Sequence, residues 1–578
     1  MVKPFPLSAS PQVMDLTALR AVLSDLRGRI LPSRFEKAQQ PDAHGLQLGF
    51  RTLKGMVWLE LSWQAELARL VQIPPPRREG SGSTLAQQIQ HSLKQLALVS
   101  LMQDGFERVV RFGFAPRPGA EIQRWLVLEL MGRHSNLMLL DEQERVIALG
   151  RQVRDHQSRV RPISTGDPYL PPPPLQGIHP STQESFERWQ ERLMLLPVPL
   201  GDALRQSYQG ISPALARQLA HDDPEVSKQR LNQSVQELSE PEWRALHSRW
   251  HSWLRQLEDE HFQLRIDRAG RYQVWSGEEG ANPEAEEPLS LRLGRHYRDQ
   301  LERRQLEQIA RELRQSLDHW REREERQLAE QLLKLKETEQ ATALQHQADA
   351  LLCLSEPKRT QIDEAQKLYR RARKLRRAVP QLEERERHHQ QRLQLIEGSD
   401  GFLEDLLTAS WDEALERVGR LKELKQELEE LLQPRQRSKR TGSPQRRDGS
   451  PEPLELRSPA GLTIQVGRNH RQNDWISLRQ ARPGDLWFHA QECPGSHVVL
   501  KASTGLAGEA DLELAADLAA LFSRARRNRR VPVVMVPVEQ LQRIAGAGPG
   551  TVRHRGGAVR WAEPERAEQR LSAGELLA

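Results

Sequence analysis

Residues 467–501 read GRNHRQNDWISLRQARPGDLWFHAQECPGSHVVLK, a stretch mixing aromatic, amide, imidazole and basic side chains with strand-like patches and a Pro-Gly turn. Just before it, Leu462-Thr463-Ile464-Gln465-Val466 alternates in polarity, as a half-buried strand does. Gly467 then frees the backbone, and Arg468, Asn469, His470, Arg471, Gln472 and Asn473 follow with no apolar residue among them. Asn and Gln amides both donate and accept, which suits base edges and sugar hydroxyls. Arg468 and Arg471 carry the planar fork that suits phosphates. Trp475 and Trp487 offer stacking faces. Asp474 and Asp485 are placed to orient arginines and imidazoles, and the Pro494-Gly495 turn returns Ser496 and His497 toward His489. A packed core does not need so many polar groups; a surface that grips nucleic acid does. A helix over 512–527 and an apolar strand over 531–536 complete a C-terminal α/β unit.

Plainer roles compete for the same residues. One of Trp487 and Phe488 belongs to the core, and an Asn or Asp in a turn more often satisfies backbone groups than ligands. His489, Cys493 and His497 have an H-x3-C-x3-H spacing, but a closed zinc site wants a fourth ligand and none is evident, so neither metal nor cofactor is expected. Cys493 adjoins a turn with no evident oxyanion hole, which argues against a nucleophile.

The rest of the chain bounds the answer. Its 578 residues allow several domains, and 28% charged against 37% hydrophobic residues is too polar for one compact globule and suits long solvated helices. Lys and Arg outnumber Asp and Glu by only 85 to 79, so binding to a polyanion has to come from local clusters. Two cysteines, Cys353 and Cys493, exclude a disulfide framework. The start, MVKPFPLSAS, has no apolar core of a secretory signal, and no apolar run approaches the ~20 residues that span a bilayer. A cytoplasmic protein with no membrane partner is expected.

The pattern predicts a multidomain α+β protein. Residues 1–175 read as an α+β domain, with strands over 46–50, 57–61, 108–114, 125–131, 137–140 and 146–149 and helices over 16–26 and 84–99. Pro171–Pro174 marks a stiff linker. Residues 176–255 form a helical domain in which Gln209-Gly210-Ile211-Ser212-Pro213 joins two helices. It resembles a helix-hairpin-helix, whose turn presents N–H groups to phosphates, and a plain helical hairpin is the equal alternative. A short β connector covers 256–296. Over 297–432, Leu306, Ile309, Leu313, Leu317 and Trp320 step by three and four, and a second helical arm from 360 is broken near Pro380 and 398–401. This reads as a long antiparallel coiled-coil hairpin, its first arm on the order of 85 Å long; a dimerisation coiled coil is the alternative. A basic disordered linker spans 433–452, the α/β unit 453–562 and a mobile tail 563–578.

A resemblance emerges from these motifs. Gly467-Arg468-Asn469-x-x-Gln472-Asn473-Asp474, Asp485-Leu486-Trp487-Phe488-His489, Pro494-Gly495-Ser496-His497 and the later Gly546-Ala547-Gly548-Pro549-Gly550 resemble the RNA-binding domain of the NFACT family. Glu129-Leu130-Met131-Gly132-Arg133-His134-Ser135-Asn136 resembles a hallmark of that family's first domain, and Glu364–Tyr369 with the following arginines is similar to its second coiled-coil arm.

The resemblance implies ribosome quality control. A factor of this kind binds the large ribosomal subunit carrying a peptidyl-tRNA nascent chain complex and recruits charged tRNA, chiefly alanyl-tRNA, for template-independent tailing. The ribosome makes the bonds, so the factor is not an enzyme and has no catalytic residues. Glu107, Arg108, Arg133 and His134 would bind tRNA. Arg468, Asn469, Gln472, Asn473, Asp474, Asp485, Trp487, His489, Ser496 and His497 would bind RNA. DNA is not an expected partner. Two departures bear on tailing: the family's Asp-Arg pair is Glu107-Arg108 here, and its basic helix pattern upstream reads Ile89-Gln90-His91-Ser92-Leu93-Lys94. The alternatives are an RNA- or ribosome-binding protein that does not tail, a cell-surface fibronectin-binding adhesin, as the family was once labelled, and a DNA glycosylase-like enzyme. The last is disfavoured because Pro4 does not follow an initiator Met directly.

Overall fold

A computed structural model describes residues 12–76, 83–154, 161–267, 269–275, 287–355, 358–409, 414–432, 451–544 and 546–576. The basic linker expected over 433–452 lies outside them apart from its last two residues. The chain divides into two compact units, 1–301 and 302–578.

The first unit is built on helix α1 (Leu16–Ile30) and a nine-stranded sheet. Its strands are β1 (Ser33–Gln39), β2 (Gly45–Thr52), β3 (Gly55–Ser62), β4 (Arg69–Ile73), β5 (Ala97–Met102), β6 (Val109–Ala115), β7 (Arg124–Glu129), β8 (Asn136–Leu140) and β9 (Val146–Leu149), with α2 (Thr84–Leu93) between β4 and β5. They run in the order β4-β3-β2-β1-β5-β6-β7-β8-β9, with antiparallel neighbours. Alternation explains the core: Phe35, Phe50, Phe112 and Phe114 point to one face, where they meet Leu19, Val22, Leu23 and Leu26 of α1. Asp15 caps α1 by accepting from the Ala18 N–H at 2.9 Å.

The helix expected over 84–99 stops at Leu93. Gln95 takes a left-handed φ of 68°, which turns the chain, and residues 97–102 become β5 between β1 and β6.

Five helices follow: α3 (Phe186–Leu193), α4 (Leu200–Ser207), α5 (Pro213–Ala220), α6 (Pro224–Asn232) and α7 (Glu240–Glu258). They enclose a core rich in tryptophan: Trp189, Trp243, Trp250, Trp253 and Trp275. The α4–α5 turn packs on α1 and the segment before β6. Gly210, at φ 77°, lies so close to Phe106 and Leu16 that a Cβ would come within 2.8 Å of the Phe106 ring. Gln209 donates to the carbonyls of Leu175 and Gly177, and Ser212 to Asp15. Of the expected β connector, the described residues include β10 (Arg265–Ile266) and β11 (Tyr272–Gln273), and the long helix α8 (Leu289–Thr338) starts earlier than the expected 297, with Ser290, Leu293 and Tyr297 buried.

In the second unit, α8 continues and is followed by α9 (Gln340–Leu352), α10 (Arg359–Thr408) and α11 (Ala414–Leu432). The partners run antiparallel within the one chain. Tyr369 pairs with Asp349, His389 and Arg392 with Glu324, and Asp400 with Arg321. Near the base, Leu313, Leu317 and Trp320 of α8 pack with Phe402 and Leu406 of α10 and Leu421 and Leu424 of α11. The breaks expected near Pro380 and 398–401 are absent: α10 runs through all of them. Pro380 is exposed, which leaves the carbonyl it cannot bond free to meet water.

The C-terminal domain comprises β12 (Leu454–Arg457), β13 (Thr463–Val466), α12 (His470–Leu478), β14 (Leu486–Ala490), β15 (Val498–Leu500), α13 (Glu509–Leu521), β16 (Val531–Pro537), β17 (Leu541–Arg543), β18 (Val552–His554), β19 (Ala558–Ala562) and α14 (Pro564–Ser572). An antiparallel sheet, β12-β13-β15-β14-β16-β19, packs its inner face on α13. Where a tail is expected over 563–578, the described residues, to 576, form α14 and a turn. Ala567, Leu571 and Leu576 are buried in the same core, and Arg566 holds Asp517 of α13 with two hydrogen bonds. The molecule is therefore a multidomain α+β protein. Leu571→Ala is expected to destabilise this domain by about 2–5 kcal/mol. Faster amide exchange throughout α13 and β19 would register the loss, whereas a true tail would leave those amides unchanged.

Candidate nucleic-acid interface

In the first unit, β6 and β7 bring the four sequence-predicted tRNA residues to one end of the sheet. Val109 faces Glu129 across the pair, and the Leu130 N–H donates to the Arg108 carbonyl at 2.9 Å. Glu107 and Arg108 thus enter β6 beside the single 3-10 turn, Gly132–His134, that leaves β7.

Most of the 129–136 motif builds that turn. Glu129 is fully buried, accepts two hydrogen bonds from Arg161 at 2.8 and 2.6 Å and one from the Tyr169 hydroxyl at 3.0 Å. Burial, joined by the Glu129 charge, pushes the Tyr169 phenol up. Ser135 Oγ accepts from the Met131 N–H, and Asn136 Oδ1 from Leu137 and Arg151. Gly132 supplies the φ of 57° that the turn needs. Only Arg133 and His134 are left on the surface, with Arg133 Nε donating to His134 Nε2 at 3.0 Å.

Arg108 is half-buried, and burial lowers its pKa against the opposing charges of Asp15 and Glu107. Glu107 uses one carboxylate oxygen to accept from the Leu175 N–H at 3.0 Å, just after the proline run. Its other oxygen is buried and has no partner among the described residues. Gln90 accepts from the Ala38 N–H and donates to the Glu36 carbonyl, so it ties α2 to β1 rather than facing a ligand.

In the second unit, nine of the ten sequence-predicted RNA residues are buried: Arg468, Asn469, Gln472, Asn473, Asp474, Asp485, Trp487, Ser496 and His497. Their polarity is used internally. Asn469 caps α12 by accepting from the Gln472 N–H at 2.8 Å, and Gln472 accepts from the Arg468 N–H and donates to the Glu452 carbonyl. Asn473 accepts from the His497 N–H at 3.0 Å, and His497 Nδ1 meets Ser477 Oγ at 2.8 Å. A Cβ on Gly467 would lie 2.1 Å from Asn473 Oδ1, so only glycine fits there. Asp474 binds Arg543. Asp485 accepts from Ser503 and from the Arg482 N–H, with Lys501 at 3.3 Å; these bonds and that charge hold its carboxyl low against the opposing effect of burial. The Ser496 hydroxyl and the Trp487 indole N–H have no partner among the described residues.

His489, the tenth, is half-buried in a cleft of about 620 Å³ bounded by the outer sheet face, the 491–495 loop and α10. Its ring stacks on Trp487 at 5.5 Å with planes 5° apart, and His497 meets both edge-on. Desolvation pushes His489 down to about 4 and His497 well below its ordinary value. The wall is therefore aromatic and uncharged at neutral pH, suited to bases more than to phosphates. Exposed His554 adjoins it, 6.0 Å from Trp487; nothing local in its Arg-rich stretch marks it. His489, Cys493 and His497 do not form a metal-ligand group among the described residues.

Residues of the same motif dock the domain on the helical arms. Glu427 of α11 accepts from the Arg471 N–H at 2.8 Å, Arg471 pairs with Glu430, and His470 meets Ser399 Oγ at 2.9 Å. Gly398 lies against the His470 ring, where a Cβ would sit 3.0 Å from Cε1. Arg524, Arg526 and Arg527 pair with Glu397, Asp405 and Glu404 of α10.

Burial pushes Glu427 from 4.5 to about 7. The docked state then holds a proton that a solvated glutamate releases, so docking is strongest below pH 4.5 and weakens as pH rises toward 7. Amide protection of α12, corrected for intrinsic exchange, is expected to fall over that window. Glu427→Gln keeps an acceptor and should abolish the dependence.

Two family models match in chain order: "NFACT N-terminal and middle domains" over residues 15–357 and "NFACT protein RNA binding domain" over 454–556. The Rqc2 homolog RqcH of Streptococcus suis (strain 05ZYH33) is 25% identical over 576 residues, covering 93% of this chain and 96% of that one. The Rqc2 homolog RqcH of Bacillus subtilis (strain 168) is 25% identical over 568 residues, covering 92% and 94%. The solved C-terminal part of the fibronectin/fibrinogen-binding protein from Streptococcus suis is 27% identical, covers 46% of this chain and 97% of that one, and superposes with a TM-score of 0.37. The chain belongs to the NFACT family, and its C-terminal domain is the family's RNA-binding domain.

Proposed function

We propose that this protein is a ribosome quality control factor of the cytoplasm. It binds the large subunit that retains a peptidyl-tRNA nascent chain complex after a stalled ribosome splits, and it recruits charged tRNA for tailing of the nascent chain. The ribosome forms the peptide bonds, so the protein acts by binding and positioning. The observation that carries this reading is the gathering of Glu107, Arg108, Arg133 and His134 at one end of the β6–β7 pair, in a chain that carries the family's domains in order.

The chemistry of that corner suits a phosphate backbone. Arg133 and His134 are exposed, and the 129–136 network fixes the turn beneath them. Arg108, held between Asp15 and Glu107, is pre-oriented, which lowers the entropy lost on binding. Glu107 in place of the family's aspartate keeps the charge and spans to Leu175, so the pair still works as a unit. Alanyl-tRNA is the proposed substrate of the tailing step.

Sedimentation with isolated large subunits tests the reading, and absence of binding at low salt would sink it. Arg108→Ala is expected to strip tRNA from purified complexes, by at least about tenfold, while subunit binding persists. Unchanged tRNA content would remove the Glu107–Arg108 corner from the mechanism. Arg133→Ala should act in the same direction.

A further inference from the structure

The C-terminal sheet has an outer face that the sequence motifs mark only at β14, through Trp487 and His489. Register defines it. His489 of β14 faces Val534 of β16, which faces Val559 of β19. One step along, the Gln491 N–H donates to the Pro532 carbonyl, and Pro532 faces Trp561. The alternating residues Phe488, Val533 and Ala562 lie in the inner core, so His489, Val534, Val559 and Trp561 share the other face. Over β14 and β16 that face is covered, with Trp487 and Val534 buried against α12 and β17; at β19, the strand that ends the sheet, it is open, with Trp561 66% and Val559 50% exposed.

The strip is rimmed by cations. Arg553 and Arg555 run directly into β19, and Gly557 lies against Val534 and Val536, which brings that segment over the same face. Arg529 precedes β16 at the Trp561 end. All three arginines are exposed and have no ion-pair partner among the described residues. Of the nearby acids, Glu563 is engaged by Arg530, Glu509 by Arg560 and Glu397 by Arg524, while Glu492 of the 491–495 loop is exposed. An open aromatic strip between unpaired guanidiniums fits a polyanion that carries flat apolar groups.

We propose that the open outer face of β19, beside the His489 cleft, is a stacking platform for unpaired RNA bases. One base stacks on Trp561, the next lies over Val559 toward the His489–His554 cleft, and Arg553 and Arg555 hold the intervening phosphates. Duplex RNA does not fit this use, because its bases are closed to stacking. The inference rests on the RNA-binding reading of the domain and assigns its surface, whereas the buried 468–474 motif shapes the domain behind it.

Fluorescence anisotropy of the full chain with a labelled single-stranded oligoadenylate of about twelve nucleotides, and with the matching duplex, tests this. Single strand is expected to bind more tightly than duplex. Trp561→Ala should weaken it about tenfold and Trp561→Phe should restore most of the loss, because any aromatic face stacks. Arg553→Ala with Arg555→Ala should lower the slope of log K against log salt by about 1.4. Leu506→Ala, an exposed apolar residue in the loop before α13, should change nothing. If the wild-type chain binds neither RNA, the RNA-binding reading itself falls. If it binds RNA but Trp561→Ala binds equally well, or if duplex is preferred, the platform falls and the strip is left for a protein partner.

Discussion

One hydrogen bond organises the C-terminal domain: Asn473, on the first turns of α12, accepts from the backbone N–H of His497 at the entry to β15. It requires Gly467 to pass within 2.1 Å, measured to an imagined Cβ, and it draws α12 flat against the ends of β13 and β15. Gln472, Asn469 and Ser477 close the same knot, so a run with no apolar residue is packed without an unpaired amide. Such a network is costly if any member is lost, because the remaining groups are buried unpaired. It also sets which side of the sheet is free. Trp487 and His489 are turned to the outer face because Phe488, one residue away, is committed to the core beneath α13.

The strands around 46–50, 57–61 and 137–140 were legible because their alternation reports a face against α1, a local property of the chain. β5 was not: its residues suit either class, and the turn at Gln95 and pairing on both sides decide it. The 129–136 motif and the pair at 107–108 were picked out by resemblance to the family, but nothing local showed that Glu129 would be an internal anchor. The polar run at 468–474 was read as a surface because polarity normally marks solvent. Its partners, the His497 N–H, the Glu452 carbonyl and the Glu427 carboxyl, come from segments far away in sequence. Gly398 looked like a helix break for the same reason; its lack of a side chain serves the His470 ring. Trp561 escaped notice beside an apparent tail whose one apolar stripe, Ala567, Leu571 and Leu576, is too sparse to stand out.

Charge is distributed unevenly over the second unit. The Arg524–Arg527 cluster would count as an RNA-binding patch by composition, yet its arginines meet the acids of α10. Among the described residues, the cations without an acid partner include Arg529, Arg553 and Arg555 beside β19 and the arginines of α10 between Arg370 and Arg377. A net excess of only six positive charges thus conceals local fields of both signs, which is why the global balance was a poor guide.

The contact of Gly398 with His470 has a mechanical consequence. Close to its base, α10 is clamped to the C-terminal domain by a glycine, a histidine and flanking ion pairs, and from there it runs unbroken to Arg359. At ~1.5 Å per residue that is a lever of about 60 Å, so a tilt of about 5° at the clamp sweeps its far end through about 5 Å. A displacement felt at the distal end is geared down into a small, forceful rotation at the His470 ring, a few residues from the knot that shapes the sheet.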